Sequence, residues 1–169
     1  MNSDPQLPLE GDLRQSLSMD WRGSGNPLVL IVEDHADTRE MLKTFLSILG
    51  CCVIEAEDGE RALNMAEKVR PDLILLDMKI PRLDGLSLTN LIRSNPSLRD
   101  VQIVAVTGNA APQFQIEALR AGCNHCLVKP IDFGRLEELI KALVRSHRRP
   151  QYSLVVRSRG VMCCARSYL

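Results

Sequence analysis

The most conspicuous lack in this 169-residue sequence is charge of one sign, since 21 Lys and Arg residues balance 21 Asp and Glu residues. A formal net charge of zero gives no electrostatic ground for binding nucleic acid or an anionic surface, so composition names no partner. Long apolar runs are missing too. Nothing approaches the roughly 20 apolar residues that cross a bilayer, and the opening stretch MNSDPQLPLEGDLRQ mixes acids and prolines where a signal peptide needs an apolar segment. The expectation is a cytoplasmic protein with no membrane partner.

Six cysteines are present, but not in a pattern that chelates well. They fall as Cys51-Cys52, Cys123-x-x-Cys126 and Cys163-Cys164, and adjacent cysteines are poorly placed to share one zinc ion. Cys51, Cys52 and Cys126 lie in or beside apolar runs, where cysteine acts as a small hydrophobe. Sustained periodicity is absent from both ends. Residues 1–27, rich in Pro, Gly, Ser and Asp, read as a disordered extension. The last stretch, residues 150–169, is shorter than the roughly 50 residues of a minimal domain, so a short tail without a DNA-binding or enzymatic output domain is expected.

Between these ends, apolar strand runs alternate with amphipathic helices. LVLIV opens at Leu28; a helix from Asp37 to Leu49 follows, with Met41, Leu42, Phe45, Leu46, Ile48 and Leu49 as its apolar stripe and Gly50 as its stop. CCVIEA is the second strand, and Asp58 is the N-cap of the next helix. DLILLD is the third strand, ending at Asp77, with a helix from about Leu86 to Ser94 behind a Pro-Gly loop. VQIVAVTG, ending at Thr107, a helix from Pro112 to Ala121, HCLVKP, ending at Lys129, and a helix from Asp132 to about Arg148 complete the series. Strands joined only by helices form a parallel sheet covered on both faces, a doubly wound α/β fold.

In such sheets ligands bind beyond the carboxyl ends of the strands. The residues there are Glu33, Asp34, Asp77, Thr107 and Lys129. Carboxylates at the rim of a core are costly unless paired, hydrogen-bonded or bound to a metal. Three acids, a hydroxyl and an ammonium on one edge therefore form a candidate site, although about a hundred positions of sequence separate them.

The segments VEDHADTR, LLDMKIPRLDG, AVTGNA and CLVKP together resemble the receiver domain of two-component response regulators, over about residues 28–149. The resemblance implies a flavodoxin-like (βα)5 domain with strand order 2-1-3-4-5. It also implies that Asp77 takes a phosphoryl group from a histidine kinase or phosphotransfer protein. Asp34, Asp77 and the Lys79 backbone carbonyl would hold Mg²⁺, with Glu33 acting through a coordinated water, because a carboxylate attacking phosphorus needs a cation to offset charge repulsion. Lys129 and Thr107 would contact phosphoryl oxygens, and the Lys129-Pro130 peptide would be cis. Such a protein is a phosphorylated switch in a phosphorelay, not an enzyme beyond its own phosphorylation and dephosphorylation.

One departure from the family lies three residues before the lysine, where an aromatic is common and Cys126 stands instead. A thiol cannot block or vacate a surface as a ring does, so the switch is expected to run through Thr107 and Gly108-Asn109-Ala110. The downstream partner would bind the face of helix four, strand five and helix five. His125 is read as a surface residue, and Pro81 and Gly85 as turn formers. Two other readings stand beside this one: a degenerate receiver acting without phosphorylation, and a haloacid-dehalogenase-type phosphatase. The latter needs a second acid two positions after Asp77, where Lys79 is found.

Overall fold

In the computed structural model, which describes residues 26–147, the five apolar residues of Leu28–Val32 form β1 and every one of them is buried. The lack of polar alternation has its cause in the layers around the strand, since both faces carry helices. The chain continues through α1 (Ala36–Ile48), β2 (Cys52–Ala56), α2 (Gly59–Val69), β3 (Leu73–Asp77) and α3 (Gly85–Ser94). A 3-10 turn at Pro96–Leu98 leads to β4 (Gln102–Thr107), α4 (Pro112–Ala121), β5 (His125–Val128) and α5 (Phe133–His147). All strand pairs are parallel, in the order β2-β1-β3-β4-β5. This is the flavodoxin-like order that the resemblance implied.

Alternate residues of each strand feed two cores. Leu30, Val32, Ile74, Leu76, Ile103 and Ala105 pack under α2, α3 and α4 with Ala62, Ala66, Leu88, Ile92 and Ala118. Val29, Ile31, Leu75, Val104, Val106 and Leu127 pack under α1 and α5 with Leu42, Leu46, Leu136 and Ile140. Burying each of the larger side chains is worth about 1.5–3 kcal/mol, so the sheet rather than any single helix carries most of the fold's stability.

Several local expectations shift. The apolar stripe of α1 is narrower than its sequence, because Met41 and Ile48 remain 46% and 79% exposed while Leu42 and Leu46 are buried. Neighbouring helical residues point about 100° apart, so the pairs 41/42 and 48/49 cannot both face the sheet. The α2 cap is as expected: the Asp58 side chain accepts from the Arg61 N–H. Cys51 lies outside β2, its N–H donating to the Leu46 carbonyl in the turn after α1. β5 ends at Val128, and Lys129 stands just beyond it, joined to Pro130 by a cis peptide. The expected extension over residues 1–27 and tail over 150–169 fall almost wholly outside the described residues; Pro27, at the junction, is buried and accepts from the Cys52 N–H at 2.9 Å.

Strand register positions the site. Val32 lies opposite Leu76, Asp77 opposite Val106, and Thr107 opposite Val128. The residues that follow Val32, Leu76, Val106 and Val128 at this carboxyl edge are Glu33, Asp77, Thr107 and Lys129.

Candidate functional site

Glu33 and Asp77, at the ends of β1 and β3, are 2% and 6% exposed. Two buried carboxylates on adjacent strands repel unless a cation lies between them. Lys129 supplies it: its Nζ donates to Glu33 Oε2 at 2.9 Å and to Asp77 Oδ2 at 2.6 Å. Burial alone would lower the lysine pKa, but the hydrogen bonds to Asp77 and Glu33 outweigh it and raise the value, so the ammonium stays charged. The second oxygen of Asp77 accepts from the Lys79 N–H at 2.8 Å. The Asp77 side chain is thus held at both oxygens.

Asp34, next in the chain, is exposed. His35 Nδ1 lies 2.8 Å from Asp34 Oδ1 and 3.2 Å from Glu33 Oε1. Carboxylates only accept hydrogen bonds when ionised, so Nδ1 is the donor in both contacts. Burial is the largest single influence on Asp34 and pulls its pKa up, but the hydrogen bond and charge of His35 together bring it below the usual value; the same contacts with Asp34 and Glu33 raise that of His35. Arg39, one turn into α1, donates through Nη1 to the Glu33 carbonyl at 2.7 Å and the Asp34 carbonyl at 3.3 Å. It fixes the backbone from which both acids project.

Thr107 closes the pocket's other side. It is buried, its Oγ1 accepts from the Asn109 N–H at 3.1 Å, and its carbonyl accepts from the Lys129 N–H at 2.8 Å. The loop after β4 therefore takes its shape from the threonine hydroxyl, with Asn109 in turn accepting from the Ala111 N–H.

The loop after Asp77 is more constrained than simple turn chemistry implies. A Cβ on Gly85 would lie 2.8 Å from Met78 Cα, so the first residue of α3 must be glycine to let the chain fold back against the strand end. A Cβ on Gly59 would collide with the Leu83 carbonyl oxygen, so α2 and this loop also meet backbone to backbone. Between them Arg82 adopts φ +66, a left-handed conformation uncommon outside glycine and asparagine. Its Nη1 reaches the buried Asp58 carboxylate at 3.2 Å.

The structure thus gathers Glu33, Asp77 and Lys129 directly, with Asp34 and Thr107 on either side and the Lys79 amide, rather than its exposed side chain, against Asp77. His35, Arg39 and the Asp58–Arg82 pair are additions. A histidine directly after two strand-end acids was a signal for the first; the Arg82 contact joins two loops and has no local pattern. His125 is exposed and Cys126 half-buried. Among the described residues the four cysteines are free thiols, and burial pushes Cys51 up to about 11.

Glu33, Asp34 and Asp77 bring three carboxylates against one ammonium and one imidazole. Such an oxygen-rich, net acidic donor set fits Mg²⁺, which takes a few carboxylates and completes its shell with water. Glu33, Asp34 and His35 each turn a donor atom toward the others, all within 4.8 Å of one another.

The geometry defines a doubly wound α/β domain with an acid-lysine cluster at the carboxyl edge of its sheet, and comparison specifies it. Residues 29–141 match the response regulator receiver domain family. The chain belongs to that family. It is 35% identical over 134 residues to the probable transcriptional regulator ycf27 of Guillardia theta, covering 79% of this chain and 52% of that protein. The chain spans about half the length of the first curated relatives it matches. Among solved structures, a putative response regulator from Chloroflexus aurantiacus J-10-fl superposes with TM-score 0.67 at 30% identity, over 71% of this chain and 98% of that one. The receiver domain of the sensor histidine kinase PA1611 of Pseudomonas aeruginosa PAO1 has TM-score 0.65 and 34% identity over 71% and 98%, and holds a magnesium ion coordinated in its active-site cleft. No helix of the described residues is long and apolar enough to cross a membrane.

Proposed function

We propose that this receiver domain accepts a phosphoryl group on Asp77 from a histidine-phosphate on a kinase or phosphotransfer protein, and signals in the cytoplasm through altered protein contacts. The observation that carries this reading is the Lys129 ammonium bridging Glu33 and Asp77 at 2.9 and 2.6 Å. It sets a positive charge directly against the nucleophile in a buried setting, and a phosphoryl oxygen attached at Asp77 would lie within its reach. An Asp77 oxygen forms the new P–O bond while the P–N bond of the donor breaks, and the departing imidazole nitrogen takes a proton from water. The Lys79 N–H orients the carboxylate by holding Oδ1 at 2.8 Å.

Mg²⁺ held by Asp34, Asp77 and the Lys79 carbonyl, with Glu33 linked through water, would offset the charge repulsion between nucleophile and phosphoryl group. Thr107 donates its hydroxyl proton to a remaining phosphoryl oxygen, and any movement of Oγ1 toward that oxygen pulls on the Asn109 N–H it accepts from. That coupling gives the site an output, because α4 begins three residues after Asn109. Support for the α4–β5–α5 face as the docking surface comes from Phe114, Ile116 and Leu119, each 46–48% exposed on α4. The domain turns over no separate substrate in this reading; a phosphatase would need an acid where Lys79 stands.

The test is labelling by a small phosphodonor such as acetyl phosphate. The expected result is Mg²⁺-dependent labelling of the full chain, abolished by chelation and by Asp77→Asn. Labelling that persists in Asp77→Asn refutes the assignment.

A further inference from the structure

His35 sits at the mouth of the pocket on no element of its own, as the N-terminal cap position of α1, yet its side chain makes no capping bond to that helix. Its ring turns the other way. Nδ1 points at the two acids that close β1, 2.8 Å from Asp34 Oδ1 and 3.2 Å from Glu33 Oε1, and the three donor atoms lie within 4.8 Å of one another. The ring is 74% exposed, so packing does not force this orientation. Arg39 fixes the backbone beneath both acids, and Lys129 holds the far oxygen of Glu33. The backbone of both acids and the far oxygen of Glu33 are therefore tied down, and the imidazole is the most exposed member of the group.

Nothing in the phosphotransfer scheme above uses this ring. We propose that His35 is a specificity-determining ligand of the divalent site, its Nδ1 joining Asp34 on the bound ion and biasing the site from Mg²⁺ toward a first-row transition ion such as Mn²⁺. This deepens the receiver reading and rests on it for the site itself, which is a metal site in the 34%-identical receiver with magnesium in its cleft. An all-oxygen shell suits Mg²⁺, whereas an imidazole nitrogen adds far more to a transition ion than to Mg²⁺, which demands near-ideal octahedral oxygen geometry. When the nitrogen binds, its proton passes to solvent, and the hydrogen bonds to the two acids are replaced by a shared cation.

The experiment uses the full chain with Mn²⁺ and Mg²⁺ as probes; Mn²⁺ has little attraction to the cysteine thiols. Pulsed electron paramagnetic resonance of the bound Mn²⁺ is expected to show coupling to one ¹⁴N nucleus, lost in His35→Ala. Mn²⁺ affinity in that variant is expected to fall about tenfold or more, as loss of a ligand exceeds the cost of losing an outer-shell partner. Mg²⁺ affinity, measured by competition, is expected to change less than about threefold. An absence of nitrogen coupling in the wild type, coupling that survives His35→Ala, or an unchanged Mn²⁺/Mg²⁺ preference overturns the proposal. Because His35 is exposed, the variant keeps its fold, which the retained Mg²⁺ affinity also reports. Asp77 labelling is scored separately: nitrogen coupling without labelling refutes the phosphotransfer reading and leaves the ligand assignment standing, and labelling without coupling does the reverse.

Discussion

Replacing Lys129 with methionine keeps the length and apolar stem of the side chain but removes the cation shared by Glu33 and Asp77. Their side chains are 3% and 6% exposed, and each loses a charge-assisted hydrogen bond, of 2.9 and 2.6 Å. Breaking a fully buried ion pair costs about 3–5 kcal/mol. The Lys129 side chain is 31% exposed, so water recovers part of that loss, and about 2–3 kcal/mol is expected. For a domain of this size urea slopes run about 1–3 kcal/mol per molar, so the unfolding midpoint in metal-free buffer drops by roughly 0.7–3 M with an unchanged slope. Adding Asn at position 77 to the variant removes one of the stranded charges, so the double substitution recovers part of the loss. At one fixed Mg²⁺ concentration the stabilisation is larger for Lys129→Met than for wild type, since Glu33 and Asp77 have lost their shared ammonium and bind the ion more tightly; at about a hundred times the Kd the contribution is roughly 2.7 kcal/mol. If Lys129→Met unfolds at the wild-type urea concentration without metal, the ammonium is not what holds the two carboxylates together.

Three further outcomes are expected. Gly59→Ala drives a Cβ into the Leu83 carbonyl, and because backbone rather than a flexible side chain must move, a loss of about 3 kcal/mol in denaturant unfolding is expected; wild-type stability would show that the loop yields freely. In metal-free protein the His35 ring titrates above 6.5 by NMR, and Asp34→Asn lowers it; the stabilisation it brings is complete below about 6.5 and is lost as pH rises through the folded value. Thr107→Ala should leave Asp77 labelling largely intact while abolishing the phosphorylation-dependent change in hydrogen exchange over α4, whereas Cys126→Ala should change that response little. The opposite pair of results makes the thiol the switch.

The sheet was legible because its signal is redundant: five apolar runs each end in a polar residue and each is followed by a helical period, so the edge on which Glu33, Asp77, Thr107 and Lys129 meet follows from the alternation alone. Strand order and the roles of these residues came from their resemblance to a family, since nothing in spacing says which strands are neighbours. What stayed hidden depended on contacts between distant segments. The apolar residues Met41 and Ile48 look like core in sequence, yet only the position of the sheet decides which of two adjacent side chains is covered. Gly59 and Gly85 look like helix starts, and their need for bare backbone appears only when the neighbouring chain is in place. Arg93 is a similar case, donating to the carbonyls of Gly122 and Val101 and to Asn124, and so tying α3 to the segments on either side of β4.

Lys129 spans the sheet like a guy line. It is anchored just past the four-residue edge strand β5 and passes the end of β4 to reach β3 and β1. An outermost strand with one neighbour is the part of a sheet that opens most readily, and here its far end is moored to the chemistry at the centre. A group that displaced the ammonium from the Asp77 oxygen would slacken that line. The tightness of the sheet's outer margin would then depend on the chemical state of a single carboxylate two strands away.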